Sequence, residues 1–288
     1  MKKAGKIFLG IFAGIIIIIA AMYLYVTQSS TIPAYLNIES GEVNVNTGKA
    51  IINGEDGMKL KESYIVKTGE AGEASVILYE SIVISLDPNT EISISELSKE
   101  NIEIKQTEGS TWTKFMNILG VNGMSIETPN TVATVRGTNF GVDMFWVYVD
   151  EGLVNVKTGN GEENLGAGEN AMYDNGTLTK GMLTEEQKQR IIKYKKRQIL
   201  ILQNIRMLEL EKKRMIIEKL LNANNLSFEE MPKYLEDIDK GEGDLNKIMQ
   251  QIPVKIESAE KVLKITEKIR EERKRIAELE GIGNVSAA

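Results

Sequence analysis

Between residues 38 and 180 apolar side chains recur at every second position in short runs, and Gly interrupts these runs roughly every eight to twelve residues. After Thr184 the spacing lengthens to three and four. The first pattern belongs to short strands with one buried face and the second to amphipathic helices, so two kinds of structure meet near residue 183. Candidate strands cover 41–45, 64–67, 74–78, 82–86, 91–95, 102–105, 124–127, 131–135, 140–144, 145–149 and 153–156. So many strands of about five residues need at least two packed layers or a closed coil. Asp87-Pro88-Asn89, Asp150-Glu151-Gly152 and Thr158-Gly159-Asn160-Gly161 supply reversals, and Gly69 and Gly72 flank a tight turn. Gly159 and Gly161 have the spacing of a phosphate loop, but no third glycine and no apolar helix start follow, so a hairpin turn is expected there.

The chain of 288 residues contains no Cys and no His. Thiol nucleophiles, disulfides, Cys/His metal sites and imidazole-based triads are thereby excluded. Net charge is −6, with 13 basic and 22 acidic residues up to residue 183 and 22 basic and 19 acidic residues after it. The acidic first part has no electrostatic grip for nucleic acid, and the basic runs 193–197 and 212–214 are mixed with acids as on solvated helices.

Residues 7–26 carry no charge and include five consecutive isoleucines, Ile15 to Ile19. A helix of that length rises about 30 Å, the thickness of a bilayer's hydrocarbon core. No small-x-small cleavage site follows, so a retained anchor is expected in preference to a signal peptide. Lys2, Lys3 and Lys6 precede it, and the next basic residue is Lys49, which places residues 1–6 in the cytoplasm and the bulk of the chain outside.

The stretch from Thr128 to Val142 changes phase. Ala133 and Val135 share one parity while Phe140 and Val142 share the other. If both pairs face the core, one residue must be inserted between them, and a β-bulge at Arg136-Gly137-Thr138 is the expected device. Arg136 reads either as a contact for an anion or partner, or, as the favoured expectation, as a structural arginine paired with a buried carboxylate or carbonyls.

These residues are also where the sequence resembles the FecR-like domain family, over roughly residues 38–180. The resemblance runs through Gly41-Glu-Val-Asn-Val45, the Val66 to Val76 segment, Leu86-Asp-Pro-Asn-Thr90 and Glu108 to Trp112. Its most specific part is Thr128-Pro129 followed by Val135-Arg136-Gly137-Thr138-x-Phe140, and it closes with Val149 to Val154 and Gly166-x-Gly168. The resemblance implies an extracytoplasmic all-β module of jelly-roll or β-solenoid character that binds proteins or ligands. Best-known members carry a cytoplasmic anti-sigma segment before the membrane span, whereas six residues precede the apolar segment here. Glu62-Ser63 and Tyr79-Glu80-Ser81 depart from the family's usual turn residues.

At Thr184-Glu-Glu-Gln187 a capping box opens a helix expected to reach Leu221. A second helix, from Val254 to Leu279, repeats in sevens through Val262, Ile269 and Ile276 and through Ile265, Glu272 and Leu279. Together they predict an antiparallel coiled-coil hairpin. The connector holds a short helix after Ser227, with a second capping box completed by Glu230, and a Gly241-Glu-Gly243 break. Asp237-Ile-Asp239 fails as an EF-hand, because Glu242 and Ile248 stand where the turn Gly and the bidentate Glu belong.

The resulting expectation is an α+β chain with separate domains. These are a cytoplasmic stub (1–6), a transmembrane anchor (7–26), a linker (27–37), an all-β FecR-like domain (38–180) and a helical coiled-coil region (184–288). Its function is expected to be that of a membrane-anchored, extracytoplasmic binding module, a sensor or scaffold without catalytic residues, cofactor or metal. Its partner would be an envelope protein or polymer, with the helical region able to bring copies together. Two alternatives compete. One is an envelope glycan hydrolase drawing two carboxylates from Asp143, Asp150 and Glu151, and the other is a purely structural envelope protein.

Overall fold

The computed structural model of the protein describes residues 33–79, 81–98, 100–116, 121–222, 227–242 and 257–281. In chain order the strands are β1 (Ala34–Ser40), β2 (Val43–Asn46), β3 (Ile51–Asn53), β4 (Lys59–Leu60), β5 (Ile65–Thr68), β6 (Glu73–Leu78), β7 (Ile82–Leu86), β8 (Glu91–Leu97) and β9 (Ile102–Glu108). They continue with β10 (Ser110–Phe115), β11 (Met124–Glu127), β12 (Val132–Val135), β13 (Asn139–Asp143), β14 (Trp146–Glu151), β15 (Leu153–Lys157), β16 (Glu162–Gly166), β17 (Glu169–Asp174) and β18 (Thr177–Met182). The eleven expected strands are all present; β1, β3, β4, β10, β16, β17 and β18 are additional, and β1 begins inside the stretch expected as linker.

Two nine-stranded sheets face one another. The first runs β18-β17-β14-β13-β10-β7-β6-β1-β4 and the second β16-β15-β12-β11-β9-β8-β5-β2-β3. The chain alternates between sheets, and from β5 and β6 onward each visit lands beside strands laid down before it, with β4 left on the far side of β1, so the sandwich advances along one axis as a flattened coil. Pairing is antiparallel throughout except for β9 with β11. The inner faces share one core, to which Leu36, Val76, Ile84 and Phe140 come from the first sheet and Val45, Ile104, Ile126 and Val156 from the second. Each such side chain contributes about 1.5–3 kcal/mol through burial.

The phase change around residue 137 has a different cause from the one expected. Ala133, Val135, Phe140 and Val142 do all face the core, but β12 lies in the second sheet and β13 in the first. The chain crosses between layers here, so the two pairs need not share a parity and no bulge within one strand is required between them; a register shift lies just beyond the crossing, at Asn139/Phe140 where β13 pairs with β14. Gly137, at φ 76°, makes the crossing. The returning crossover packs against it: Thr138 Oγ1 donates to the carbonyl of Leu153 at 3.1 Å, and a Cβ on Gly152 would stand 3.0 Å from the Gly137 carbonyl oxygen.

Among the described residues the helices that follow are α1 (Glu185–Glu211), α2 (Arg214–Asn222), α3 (Met231–Asp239) and α4 (Glu257–Leu279). The Thr184 capping box forms as the residues dictate, with Thr184 Oγ1 accepting from the Gln187 amide and Gln187 Oε1 accepting from the Thr184 amide. The first helix ends ten residues earlier than expected, where Lys212 and Lys213 turn the chain into α2. The second capping box is absent. Glu230 is the N-cap of α3 without a side-chain capping bond, and Ser227 Oγ donates to Glu229 instead. Pro232 in the first turn, with its φ already near the helical value, sets this start. The Gly241 break holds, at φ 89°.

α1 and α4 lie antiparallel, as the pairings Lys195–Glu272, Arg206–Thr266 and Lys261–Glu209 require. Asp239 of the failed EF-hand motif serves here as the carboxylate for Arg206, at 2.6 and 2.8 Å. Among the described residues no helix is long and apolar enough to cross a membrane, and the apolar segment 7–26 lies outside the described residues.

Substituting Gly137 by Val forces a β-branched residue into the left-handed region, and is expected to cost about 1–3 kcal/mol. Gly159→Ala, with nothing within 4 Å of its Cβ, is expected to stay within about 0.5 kcal/mol of the parent. Urea unfolding of the two variants measures the contrast.

Candidate functional site

The residues carrying the most polar chemistry lie on the outer face of the first sheet, beneath α1 and α4. In the second sheet, strands such as β2, β12 and β15 alternate buried with accessible positions, whereas β7 and β10 are buried at every residue. Their inward side chains meet the core and their outward ones meet the helices.

At the centre of this interface is an aromatic stack. Trp112 on β10 lies parallel to Tyr194 of α1 with ring centroids 5.4 Å apart, and Tyr148 of β14 packs beside it at 5.7 Å. Gly141 is opposite Trp112 on β13 and provides the space, since a Cβ there would stand 2.1 Å from the Tyr148 ring. The indole Nε1 donates to Gln198 Oε1 at 3.3 Å.

On one side of the stack, arginines of α1 meet Glu39 of β1, Asp87 just after β7 and Asp143 of β13. Asp87 accepts from the Tyr194 hydroxyl and from Arg197 at 3.2 Å, and Arg197 Nε donates to Glu39 at 2.6 Å. Arg190 reaches Ser110 Oγ at 2.6 Å and lies 3.6 Å from Asp143. Burial, and the Asp87 carboxylate beside it, push the Tyr194 phenol up to about 12.

On the other side Glu272 of α4 is held between Lys114 of β10 and Lys195 of α1, at 2.5 Å from the latter. Lys195 also lies 2.6 Å from Asp150, which accepts from Arg275 at 2.9 Å. Asn139 donates to both Glu272 and Glu151. The side chains of Lys114, Lys195, Asp150 and Glu272 are at most 3% exposed. Burial alone would raise the Glu272 carboxyl, but the two ammonium groups outweigh it and hold it below the ordinary glutamate range. Lys195, with two carboxylates, is raised against its burial, while Lys114, with one carboxylate close by and Lys195 adjacent, is lowered by burial.

A cleft of about 360 Å³ opens beside this network, lined by Asp150, Glu151, Glu271, Glu272, Arg275 and their neighbours. The three acids of the hydrolase alternative are all engaged. Asp150 has two cations, Glu151 accepts from Asn139, and Asp143 accepts from the amides of Phe145 and Trp146 at 2.9 and 2.7 Å. Each of the three has polar or charged partners, whereas glycoside hydrolysis asks for an apolar setting around one member of the pair.

The motif residues are divided between two places. Thr128 and Pro129 form the β11–β12 turn, where Thr128 Oγ1 accepts from the Thr131 amide at 2.9 Å, and Asn130 reaches the Met144 carbonyl at 3.3 Å. Arg136, Gly137 and Thr138 lie at the other end of β12, in the crossover, and Val135 and Phe140 enter the core from opposite sheets. The expected structural pairing of Arg136 is not found: its side chain is exposed and makes no hydrogen bond or ion pair with the described residues. A crossover whose shape comes from backbone bonds and Gly137 does not need it.

The FecR protein family model matches residues 64–162, from the start of β5 to the start of β16, and this stretch of the sandwich is a FecR domain. The flanking strands continue both sheets beyond the match. Two crystal structures of a protein described as a "putative anti-sigma factor" from Parabacteroides distasonis ATCC 8503, at 1.65 and 2.50 Å resolution, are similar to this chain at 20% identity and a TM-score of 0.38. The similarity covers 41% of this chain and 59% of theirs, so this chain spans a little over half of those chains. No curated protein matches it.

Glu272→Ala leaves Lys114 and Lys195 facing each other without their shared anion, and the loss expected is about 3–5 kcal/mol. Because the Glu272 carboxyl is lowered on folding, its contribution is present above the unfolded glutamate value of about 4.3 and lost as pH falls through the folded value. An acid titration followed by the emission of Trp112 in a Trp146→Phe background is expected to report detachment of the helices at higher pH for Glu272→Gln than for the parent.

Proposed function

We infer that the protein is a membrane-anchored, extracytoplasmic binding module of the cell envelope, a sensor or scaffold that recognises a protein or ligand without transforming it. The FecR domain at residues 64–162 carries this reading. The engagement of Asp143, Asp150 and Glu151 in ion pairs and turns supports it against the hydrolase. The anchor is segment 7–26, with the first six residues in the cytoplasm. The helices act as an antiparallel coiled-coil strap that covers one face of the β domain and leaves its other surfaces to the partner. Arg136, exposed and unpaired among the described residues beside the Gly137 crossover, is the contact we assign to an anionic group of the binding partner.

Two measurements test this. Protease added to intact cells is expected to cleave within residues 38–180, and protection of that region overturns the topology. Chemical cross-linking of cells with Arg136→Glu is expected to recover partner at least about tenfold less than with the parent, at an unchanged melting temperature. Equal recovery removes Arg136 from the contact, and turnover of an envelope glycan by the purified protein overturns the non-catalytic reading.

A further inference from the structure

The second sheet ends on β3, whose outer edge has no neighbouring strand among the described residues. Ladder geometry fixes which backbone groups face outward. The bonds from Thr47 N to Ala50 O at 3.0 Å and from Gly54 N to Val43 O at 2.7 Å bracket the hairpin, which makes Val45–Ile52 a closely bonded pair and leaves Asn46–Ile51 and Asn44–Asn53 as wide pairs. The N–H and C=O groups of Ile51 and Asn53 therefore point away from β2. Ile51 is 71% exposed and Ile52 40% exposed. Ile52 lies on the core side with Val45, and Ile51 on the outer face with Asn46. Edge strands normally carry an inward charge, a proline or a bulge that discourages pairing, and Ile51-Ile52-Asn53 has none of these.

The flanking charges identify the occupant. Lys49 and Glu55 are exposed and make no ion pair with the described residues. In an antiparallel pairing of this segment with itself, centred on Ile52, Ile51 falls opposite Asn53 of a second copy, and Lys49, in the β2–β3 turn, comes to the same end of the join as that copy's Glu55, which follows its β3. The outward N–H and C=O groups of Ile51 and Asn53 then form closely bonded pairs across the join. Ile52 meets Ile52 of the other copy in a wide pair, where side chains approach most closely. A two-fold axis produces every contact twice. We propose that β3 pairs with β3 of a second copy of this chain, joining the second sheets of two molecules edge to edge through the Ile51–Asn53 backbone and two Lys49–Glu55 contacts. Self-complementarity in hydrogen bonding, apolar position and charge, in one register, distinguishes a second copy from an unrelated extended peptide.

The chain has no cysteine, so a single introduced thiol reports the contact. In the full chain purified in detergent, Ile52→Cys is expected to form a disulfide-linked dimer on mild oxidation, because Cα atoms about 4.5 Å apart in a wide pair lie within disulfide reach. Thr134→Cys, exposed in the middle of the same sheet, is expected to stay monomeric. By sedimentation equilibrium Lys49→Glu and Glu55→Lys are each expected to weaken dimerisation at least about fivefold, and the double exchange to restore it within about twofold. A monomeric parent, equal cross-linking at residues 52 and 134, or a double exchange no tighter than the single variants overturns the proposal.

Discussion

A single carboxylate, Glu272, ties the helices to the sandwich by bridging Lys114 on β10 and Lys195 on α1. Burying these charges is expensive, and apolar residues of similar volume would hold the layers together as well or better. What the ions add is restriction. Three elements must arrive in one register, because each charge left unpaired in this setting costs several kcal/mol. Arg197 with Glu39 and Asp87 imposes the same condition on the opposite side of the Trp112 stack. A helix slipped by one turn would break both sets together, so the polar interface selects one placement of the helices.

Strands of the second sheet were legible because one face meets the core and the other meets water, which prints an alternation into Val43 to Asn46, Met124 to Glu127 and Leu153 to Lys157. β10 was not legible. Thr111 and Thr113 point inward while Trp112 and Lys114 point to the helices, so Ser110 to Phe115 has no apolar period although every residue is buried. The phase change near Gly137 was visible, but parity alone cannot distinguish an inserted residue from a change of sheet. The helical interface left one trace. Glu272 stands seven residues from both Ile265 and Leu279, at a position a coiled-coil seam would fill with an apolar side chain, and a charge there needs a buried counter-charge. Lys195, on the face of α1 that also carries Tyr194 and Leu202, was the corresponding signal on the other helix, and the Arg136 pairing that sequence reasoning favoured went instead to Arg190, Arg197 and Arg275.

The two outer faces have different fates because their side chains differ. On the second sheet, Lys67 with Glu91 and Glu108, Lys105 with Glu127, and Lys157 with Glu162 form cross-strand pairs that are about half exposed. Such pairs contribute little to stability, but they keep a wide sheet soluble and discourage a second layer. The first sheet presents Trp112, Tyr148, Val83 and Ile77 along the matching rows, an apolar strip that would be a liability in water and is covered by Ile191, Tyr194, Ile199 and Leu202.

With one broad face solvated by ion pairs and the other given to helices, the margins of the sandwich are the surfaces committed to neither. The crossovers at Arg136–Thr138 and Glu151–Leu153 form one margin, where backbone bonds and positive φ values at Gly137 and Gly152 set the shape and free the exposed side chains from structural duty. β3 forms another, where the coil ends and the backbone itself is left to pair. At the coil's opposite end β18, the edge of the first sheet, leads within two residues into the Thr184 cap, and Gln187 ties that cap back to Asn170 of β17 at 2.8 Å. A flattened coil that advances along one axis has two ends to protect; here one is anchored by the helix that follows it, and the other exposes two isoleucines between charges of opposite sign.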